Sequence, residues 1–295
     1  MRPPPPPKFS VTVRRRLGGP HPDGLAVLND IELWATQFHS AYRVGLSTAG
    51  PATIASMQGT VIEQLQAGIS RAQVENLREL ADFLEDVIRA MNAGRILATC
   101  LAARAAIETV AALSHVERGL KRLLATPGGA GQLEVDEARA LLNQDGLGGR
   151  MDWERWWGGP EQRRALISEY ESQGKAEIEA RPTRTNVMGL LAALDQRYGK
   201  VNPERKGRVA MYYAMLSDVA HPSLGRHLLY FSPASPSGWA NTLAQPAEAI
   251  VAEFEYDVIL PALWEALTHA RAMAREFRSM AESLREVRTS PPGEA

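Results

Sequence analysis

The sequence has little cysteine and almost no excess charge. Cys100 is the only cysteine, which excludes an intrachain disulfide and a cysteine-rich structural zinc site. Basic and acidic residues nearly cancel, with 33 Lys and Arg against 34 Asp and Glu and a formal net charge of -1. This balance gives no bulk attraction to nucleic acid or to an anionic membrane, but it is compatible with a local basic groove. The low cysteine content fits a reducing compartment, and we expect the cytoplasm.

Uninterrupted apolar runs and metal-ligand pairs are also missing. The most apolar window, Ile96 to Leu113, is interrupted by Arg104 and Glu108, so we predict no membrane span. Arg2 is followed by five prolines instead of an apolar core, which predicts that no signal peptide is present. The histidines are scattered, without a His-x-x-x-His or Glu-x-x-His pair, so we predict no metal site, and no other cofactor is expected.

Helical periodicity dominates residues 24–288, which we interpret as one all-α domain, a multi-helix bundle. The segment from Ile96 to Leu124 is apolar on nearly all sides over its first two-thirds, so it is expected to be the central helix. Pro261 is expected to kink or restart the last helix. The predicted helices cover residues 30–44, 51–66, 70–91, 96–124, 135–143, 162–179, 186–198, 203–221 and 244–287.

The two ends of the chain differ from this helical domain. Residues 1–23 contain five consecutive prolines and three consecutive arginines, a composition typical of a disordered arm. A proline-rich ligand for a partner domain is the alternative interpretation. Residues 289–295 are expected to be a disordered tail.

Three of the six tryptophans lie within residues 153–157. Such a cluster is suited to stacking on nucleic-acid bases. An aromatic lid is another use of it, but we interpret the cluster as a hydrophobic plug that anchors a long insertion to the bundle.

The segment from Met211 to Gly225 has the features of a helix that ends at a polar site. Pro222 disfavours the α conformation for the residue before it, so the helix should end at or near His221. Tyr213, Ser217 and His221 are spaced four apart and therefore share one helix face. His221 is then either a C-terminal capping residue, with Ser217 as a small packing position, or part of an active or binding site.

Arg104 and Glu108 are the second polar feature. They lie four apart in the apolar central helix, on one face. Since an isolated buried charge costs several kcal/mol, the two either form a structural ion pair or belong to a polar pocket. We predict that Arg104 or Glu108 lies within hydrogen-bond reach of Tyr213, Ser217 or His221, directly or through one water.

These two features together resemble a group of uncharacterised bacterial proteins. The similarity covers about residues 95–230, and the Arg-x-x-x-Glu spacing of Arg104 and Glu108 is similar to the upstream helix of that group. The downstream residues that carry the resemblance are Asn186, Val187, Met188, Leu190, Asp195, Tyr213, Leu216, Ser217, His221, Pro222, Ser223 and Gly225. The group looks like a distant relative of the HEPN superfamily, helical bundles that include metal-independent RNases of toxin and defence systems.

The resemblance implies a role for each polar residue. His221 would act as general acid or base, Arg104 would stabilise charge on the phosphorane, and Glu108 would orient either of them. Ser217 and Tyr213 would position a phosphate. In the superfamily's RNases four to six residues separate an arginine from the histidine that follows it, whereas residues 214–216, at that distance before His221, contain none. The cation would therefore have to come from Arg104 on another helix.

Two further hypotheses follow from the same residues. The chain is a non-catalytic helical module that binds RNA, a nucleotide or a partner protein through this pocket, or the cluster is purely structural. A homo-oligomer is compatible with the sequence, and a membrane partner is not expected.

Overall fold

The computed structural model describes residues 6–18, 22–43, 61–124, 137–138, 141–142, 159–172, 187–201, 203–221 and 248–289. Every regular element in these residues is helical, which confirms the all-α class. The α-helices are α1 (Val11–Gly18), α2 (Pro22–Arg43), α3 (Val61–Asn92), α4 (Ile96–Leu124), α5 (Pro160–Ser172), α6 (Val187–Val201), α7 (Arg208–Ala220), α8 (Glu248–Phe254) and α9 (Leu260–Thr289). A 3₁₀ turn, Pro203–Arg205, precedes α7.

The central position of α4 is confirmed. It packs against α3, α6, α7 and α9, and small or apolar side chains such as Ala103, Ile107 and Val110 are buried along it. By length and composition alone α4 could cross a membrane, even though Arg104 and Glu108 interrupt its apolar window. However, 61% of that window is buried inside the bundle, the usual pattern for a core helix.

The irregularity predicted at Pro261 is a π-helical turn, Glu255–Ile259, between α8 and α9. Pro261 has no N–H group and cannot donate to the carbonyl of Asp257, so the regular ladder is interrupted there. The N–H group of Leu260 instead donates to the carbonyl of Glu255, five residues back.

The prediction of a disordered arm is wrong for residues 6–18. Phe9, Val13 and Leu17 recur every four positions, and their side chains are only 4%, 1% and 1% exposed. They form one apolar stripe of α1 and its approach, and this stripe packs into the hydrophobic core. The proline and arginine content of the segment concealed this stripe.

Two of the arginines that suggested a tail instead anchor α1. Arg14 lies 2.6 Å from a carboxylate oxygen of Glu32, and Arg16 lies 2.6 Å from a carboxylate oxygen of Glu255. The backbone N–H of Phe9 also donates to Glu32. Several predicted features lie outside the described residues: residues 1–5 and 19–21, positions 51–60 of the predicted 51–66 helix, the tryptophan cluster at 153–157, and residues 290–295.

Candidate functional site

Helix α7 ends where the sequence predicted. His221 has φ -98° and ψ 157°, an extended conformation, and its N–H donates to the carbonyl of Ser217 at 3.0 Å. The extended geometry is the one that a following proline requires, and residue 222 is proline. Tyr213, Ser217 and His221 therefore occupy one face of the last two turns, and His221 is exposed.

The other end of α7 is held by α6. The buried carboxylate of Asp195 accepts hydrogen bonds from the N–H groups of Val209 at 3.1 Å and Ala210 at 2.9 Å. Gly207, in the cap position, has φ 82°, the left-handed conformation that glycine adopts without strain. A carboxylate at a helix N-terminus satisfies free N–H groups and opposes the positive end of the helix dipole, so it fixes α7 relative to α6.

Four predicted residues converge where α7 crosses α4: Arg104, Glu108, Tyr213 and His221, which we call the Arg104 cluster. Arg104 Nε donates to Glu108 Oε1 at 2.9 Å and to Tyr213 Oη at 3.2 Å. Tyr213 Oη donates to the same carboxylate oxygen at 2.7 Å. Arg104 Nη1 lies 3.4 Å from His221 Nε2. The predicted contact between the α4 pair and the α7 face is therefore present.

The Arg104 cluster is partly exposed, which corrects the expectation of a buried ion pair. The side chains of Arg104 and Glu108 are 25% and 33% exposed. Solvent therefore screens the pair, and its contribution to folding is smaller than that of a fully buried one. The same exposure leaves the guanidinium accessible to a ligand.

Protonation states in the cluster follow from its charges. Burial lowers the pKa of Arg104, but the charge of Glu108 and hydrogen bonds to Glu108 and Tyr213 outweigh it and raise that pKa. Burial raises the pKa of Tyr213, and Glu108 raises it further, while Arg104 opposes the shift. Arg104 is thus a permanent cation, and Tyr213 keeps the proton that it donates to Glu108.

The contact between Arg104 and His221 joins a fixed cation to an imidazole ring. A guanidinium can only donate hydrogen bonds, so a hydrogen bond at this contact uses the His221 tautomer in which Nε2 is the acceptor. An exposed imidazole next to a fixed cation is a group that can exchange a proton with a bound substrate.

Ser217 shares the face but does not join the cluster. Its hydroxyl oxygen is buried and has no hydrogen-bond partner among the described residues. The phosphate-positioning role of Ser217 therefore stays a prediction.

Sequence reasoning missed the capping role of Asp195, although a carboxylate on the inner side of an amphipathic helix was a usable signal. Among the described residues, no group of three or more His, Cys, Asp or Glu side chains is placed to hold a metal ion.

Comparisons with protein-family models, curated proteins and solved structures gave no match to this chain. The HEPN-like relationship accordingly stays a prediction, and the functional argument rests on the geometry of the Arg104 cluster.

Proposed function

We propose that the chain is a metal-independent RNase whose active site is the Arg104 cluster. The observation that carries the proposal is the 3.4 Å approach of the Arg104 guanidinium to Nε2 of the exposed His221. A fixed cation next to a general base is the pair of groups that cleavage of an RNA phosphodiester requires.

The chemistry uses groups of the chain itself. The ribose 2′-hydroxyl replaces Arg104 as the hydrogen-bond donor to His221 Nε2, which then removes its proton. The ribose oxygen attacks the adjacent phosphorus and forms a 2′,3′-cyclic phosphate. The bond from phosphorus to the 5′-oxygen breaks, and the leaving oxygen takes the proton back from the imidazolium. Arg104 stabilises the negative charge that develops on the phosphate oxygens.

Glu108 and Tyr213 act as positioning residues in this scheme. Both bind Nε of Arg104, so the guanidinium is oriented from one edge. The two terminal nitrogens are left to face His221 and a phosphate, in the planar geometry that suits bidentate contact with an oxyanion.

A second candidate is a helical module that binds RNA or a nucleotide without cleaving it. This candidate is favoured because the cluster contains one imidazole. Cleavage would require that single group to act first as the base and then as the acid, whereas binding requires neither. In that case Arg104 would hold the phosphate and His221 would contribute a hydrogen bond.

Cleavage of a labelled single-stranded RNA by the purified full chain, in the presence of a chelator, tests the proposal. We expect His221→Ala and Arg104→Lys each to lower the cleavage rate at least about 100-fold. Arg208→Lys, at the exposed start of the same helix α7, is the matched control and should cleave at the parent rate. A substrate with 2′-deoxyribose should resist cleavage because the attacking hydroxyl is absent.

Retained cleavage in His221→Ala would contradict the assignment. A parent protein that binds RNA without cutting it, and loses binding in Arg104→Lys, would establish the second candidate instead. If the enzyme acts as a toxin or defence component, expression of the parent should slow bacterial growth and expression of His221→Ala should not.

A further inference from the structure

Helices α3 and α4 enclose a pocket of about 430 Å³. Its lining comes from the end of α3, the turn after it and the start of α4, within the range 61–124 that is described without a gap. The lining combines apolar and charged side chains and includes Phe83, Asp86, Arg89, Arg95, Ala98 and Leu101. We call this site the Phe83 pocket.

The apolar part of the lining is open to a ligand. Phe83 is half-buried and packs against the hydrophobic core, while Leu101 is 47% exposed. Ala98 is exposed, and its small side chain takes up little of the space. Concave sites of about 300–1,000 Å³ that are lined by apolar and aromatic side chains, with a few polar groups, are the usual form of a small-ligand site.

The charged residues of the pocket do not make it an anion site. Arg89 lies 2.5 Å from a carboxylate oxygen of Glu85 and 3.3 Å from one of Asp86, so its charge is compensated within α3. Arg95 is exposed and offers hydrogen-bond donors, while Asp86 offers acceptors. An uncharged group with polar edges therefore suits the pocket better than a phosphate does.

The Phe83 pocket and the Arg104 cluster are continuous along α4. Leu101, Arg104 and Glu108 have the spacing i, i+3 and i+7, so they share one helix face. Helical residues three apart are surface neighbours, with about 5–6 Å between their Cβ atoms, so Leu101 forms the border between the two sites. A ligand whose anionic group binds Arg104 can therefore place an adjoining flat, uncharged group in the pocket. A nucleotide consists of two such groups, a phosphate and a base.

We propose that the Phe83 pocket holds the base of a nucleotide whose phosphate is bound by Arg104. The proposal rests on the proposed function for the identity of the ligand as RNA, and it serves both cleavage and binding without cleavage. The base stacks on Phe83 and contacts Leu101, which fixes the attached phosphate next to His221. Stacking accepts every base because each has a π-face, so the pocket positions the substrate without requiring one sequence.

A dinucleoside monophosphate tests this proposal, because it carries one phosphate and two bases. The probe is adenylyl adenosine with a 2′-O-methyl group, which cannot be cleaved, together with two analogues that each lack one of the bases. Ligand-observed NMR gives their Kd values with the full chain. We expect loss of one particular base to weaken binding to the parent about tenfold, the scale of one base stacked on an aromatic ring.

Two variants connect this base to the pocket. Ala98→Phe fills the pocket, so it should bind the intact dinucleotide about tenfold more weakly than the parent, with no further loss when the base is absent. Ala192→Phe adds the same ring at an exposed position of α6 and should bind like the parent. Leu101→Ala should weaken binding of the intact dinucleotide severalfold. Its control is Leu33→Ala on α2, where the leucine is 48% exposed, compared with 47% at Leu101. All four positions are exposed, and thermal melts check that each variant is folded.

The results separate this proposal from the RNase proposal. If the parent does not cleave RNA but the base dependence is present and is lost in Ala98→Phe, the pocket is supported and the RNase proposal fails. If the parent cleaves RNA but neither base affects binding, or Ala98→Phe binds the intact dinucleotide like Ala192→Phe, the pocket proposal is overturned. Inorganic phosphate that binds as tightly as the dinucleotide would also overturn it, because the base would then add nothing. A base dependence that persists in Ala98→Phe would place the base elsewhere on the protein.

Discussion

The guanidinium of Arg104 lies 3.4 Å from Nε2 of His221, although 117 positions separate the two residues in the chain. Both are held by rigid elements. Arg104 belongs to the central helix α4, and His221 ends α7, whose first turn is capped by Asp195. A site built on packed helices keeps its geometry better than one built on loops, which favours a functional use of this contact.

The Glu108–Tyr213 hydrogen bond should make a measurable contribution to folding. Glu108→Gln and Tyr213→Phe should each cost about 1–2 kcal/mol, since a hydrogen bond to a charged group is lost. The cost stays below the about 3 kcal/mol expected for breaking a buried ion pair, because Arg104 and Glu108 are partly solvated. Urea unfolding of the two single variants and the double variant should give a coupling energy of about 1 kcal/mol. Strict additivity would show that the bond does not form.

The docking of α1 predicts that the N-terminal segment is required for full stability. Leu17 is 1% exposed and Val11 is 72% exposed on the same short helix. Leu17→Ala should therefore lower the free energy of unfolding by about 3 kcal/mol, through lost burial and a residual cavity. Val11→Ala should change it by less than about 0.5 kcal/mol. If truncation of residues 1–18 left the melting temperature unchanged, α1 would not be part of the folded core.

Local rules explain which parts of the site were predictable. The Arg104–Glu108 pairing follows from helical spacing, and the helix end at His221 follows from the proline after it. Their meeting was predictable as well, because charges in an apolar helix need polar partners.

Features that depend on tertiary packing were not predictable. The partial exposure of Arg104 and Glu108 is a property of how α7 crosses α4. The three apolar residues of the α1 stripe were masked by a proline- and arginine-rich composition. The buried carboxylate of Glu117 was missed because its neighbours in sequence, such as Arg118 and Lys121, are charged and gave no sign of a buried face.

The ion pair between α4 and α6 should be a major determinant of stability. Glu117 is fully buried, and its carboxylate lies 2.5 Å from Arg197 Nη1 and 3.1 Å from Lys121 Nζ. Arg197→Ala should cost about 3 kcal/mol, because Lys121 alone cannot compensate a charge removed from water. Lys200→Ala, on the exposed side of α6, is the matched control and should cost less than about 0.5 kcal/mol.

A double variant tests whether this cost comes from the stranded charge. Glu117→Gln combined with Arg197→Met should recover part of the lost stability, since both charges are then removed together. A double variant less stable than Arg197→Ala would contradict this. It would show that the ion pair itself stabilises the fold, and that the cost of Arg197→Ala does not come from leaving Glu117 buried without its partner.

Glu255 should make stability depend on pH. It lies in the π-helical turn, its residue is 1% exposed, and it pairs with Arg16. Burial raises its pKa from 4.5 to about 7, and this effect outweighs the opposing charge and hydrogen bond of Arg16. The folded state therefore binds this proton more tightly than the unfolded state does. Its stabilising effect is complete below about pH 4.5 and is lost as the pH rises to about 7.

Comparison with Glu255→Gln isolates this effect, because the glutamine amide resembles the protonated carboxylic acid. All other titrating groups are shared by the two proteins, so their contributions to the pH dependence largely cancel in the difference. The free energy of unfolding of the parent minus that of Glu255→Gln should fall by about 3 kcal/mol between pH 4.5 and pH 7.5. A pKa raised from 4.5 to about 7 corresponds in full to about 3.4 kcal/mol, and nearly all of this lies within that pH range. Glu253 is an exposed carboxylate on α8, and Glu253→Gln is therefore the control for the effect that losing one negative charge has on stability. Urea unfolding across this range provides the measurement. A difference that instead grows with pH would show that Arg16 keeps Glu255 ionised, and that the ion pair between α1 and the π-helical turn is stronger than the cost of burying its carboxylate.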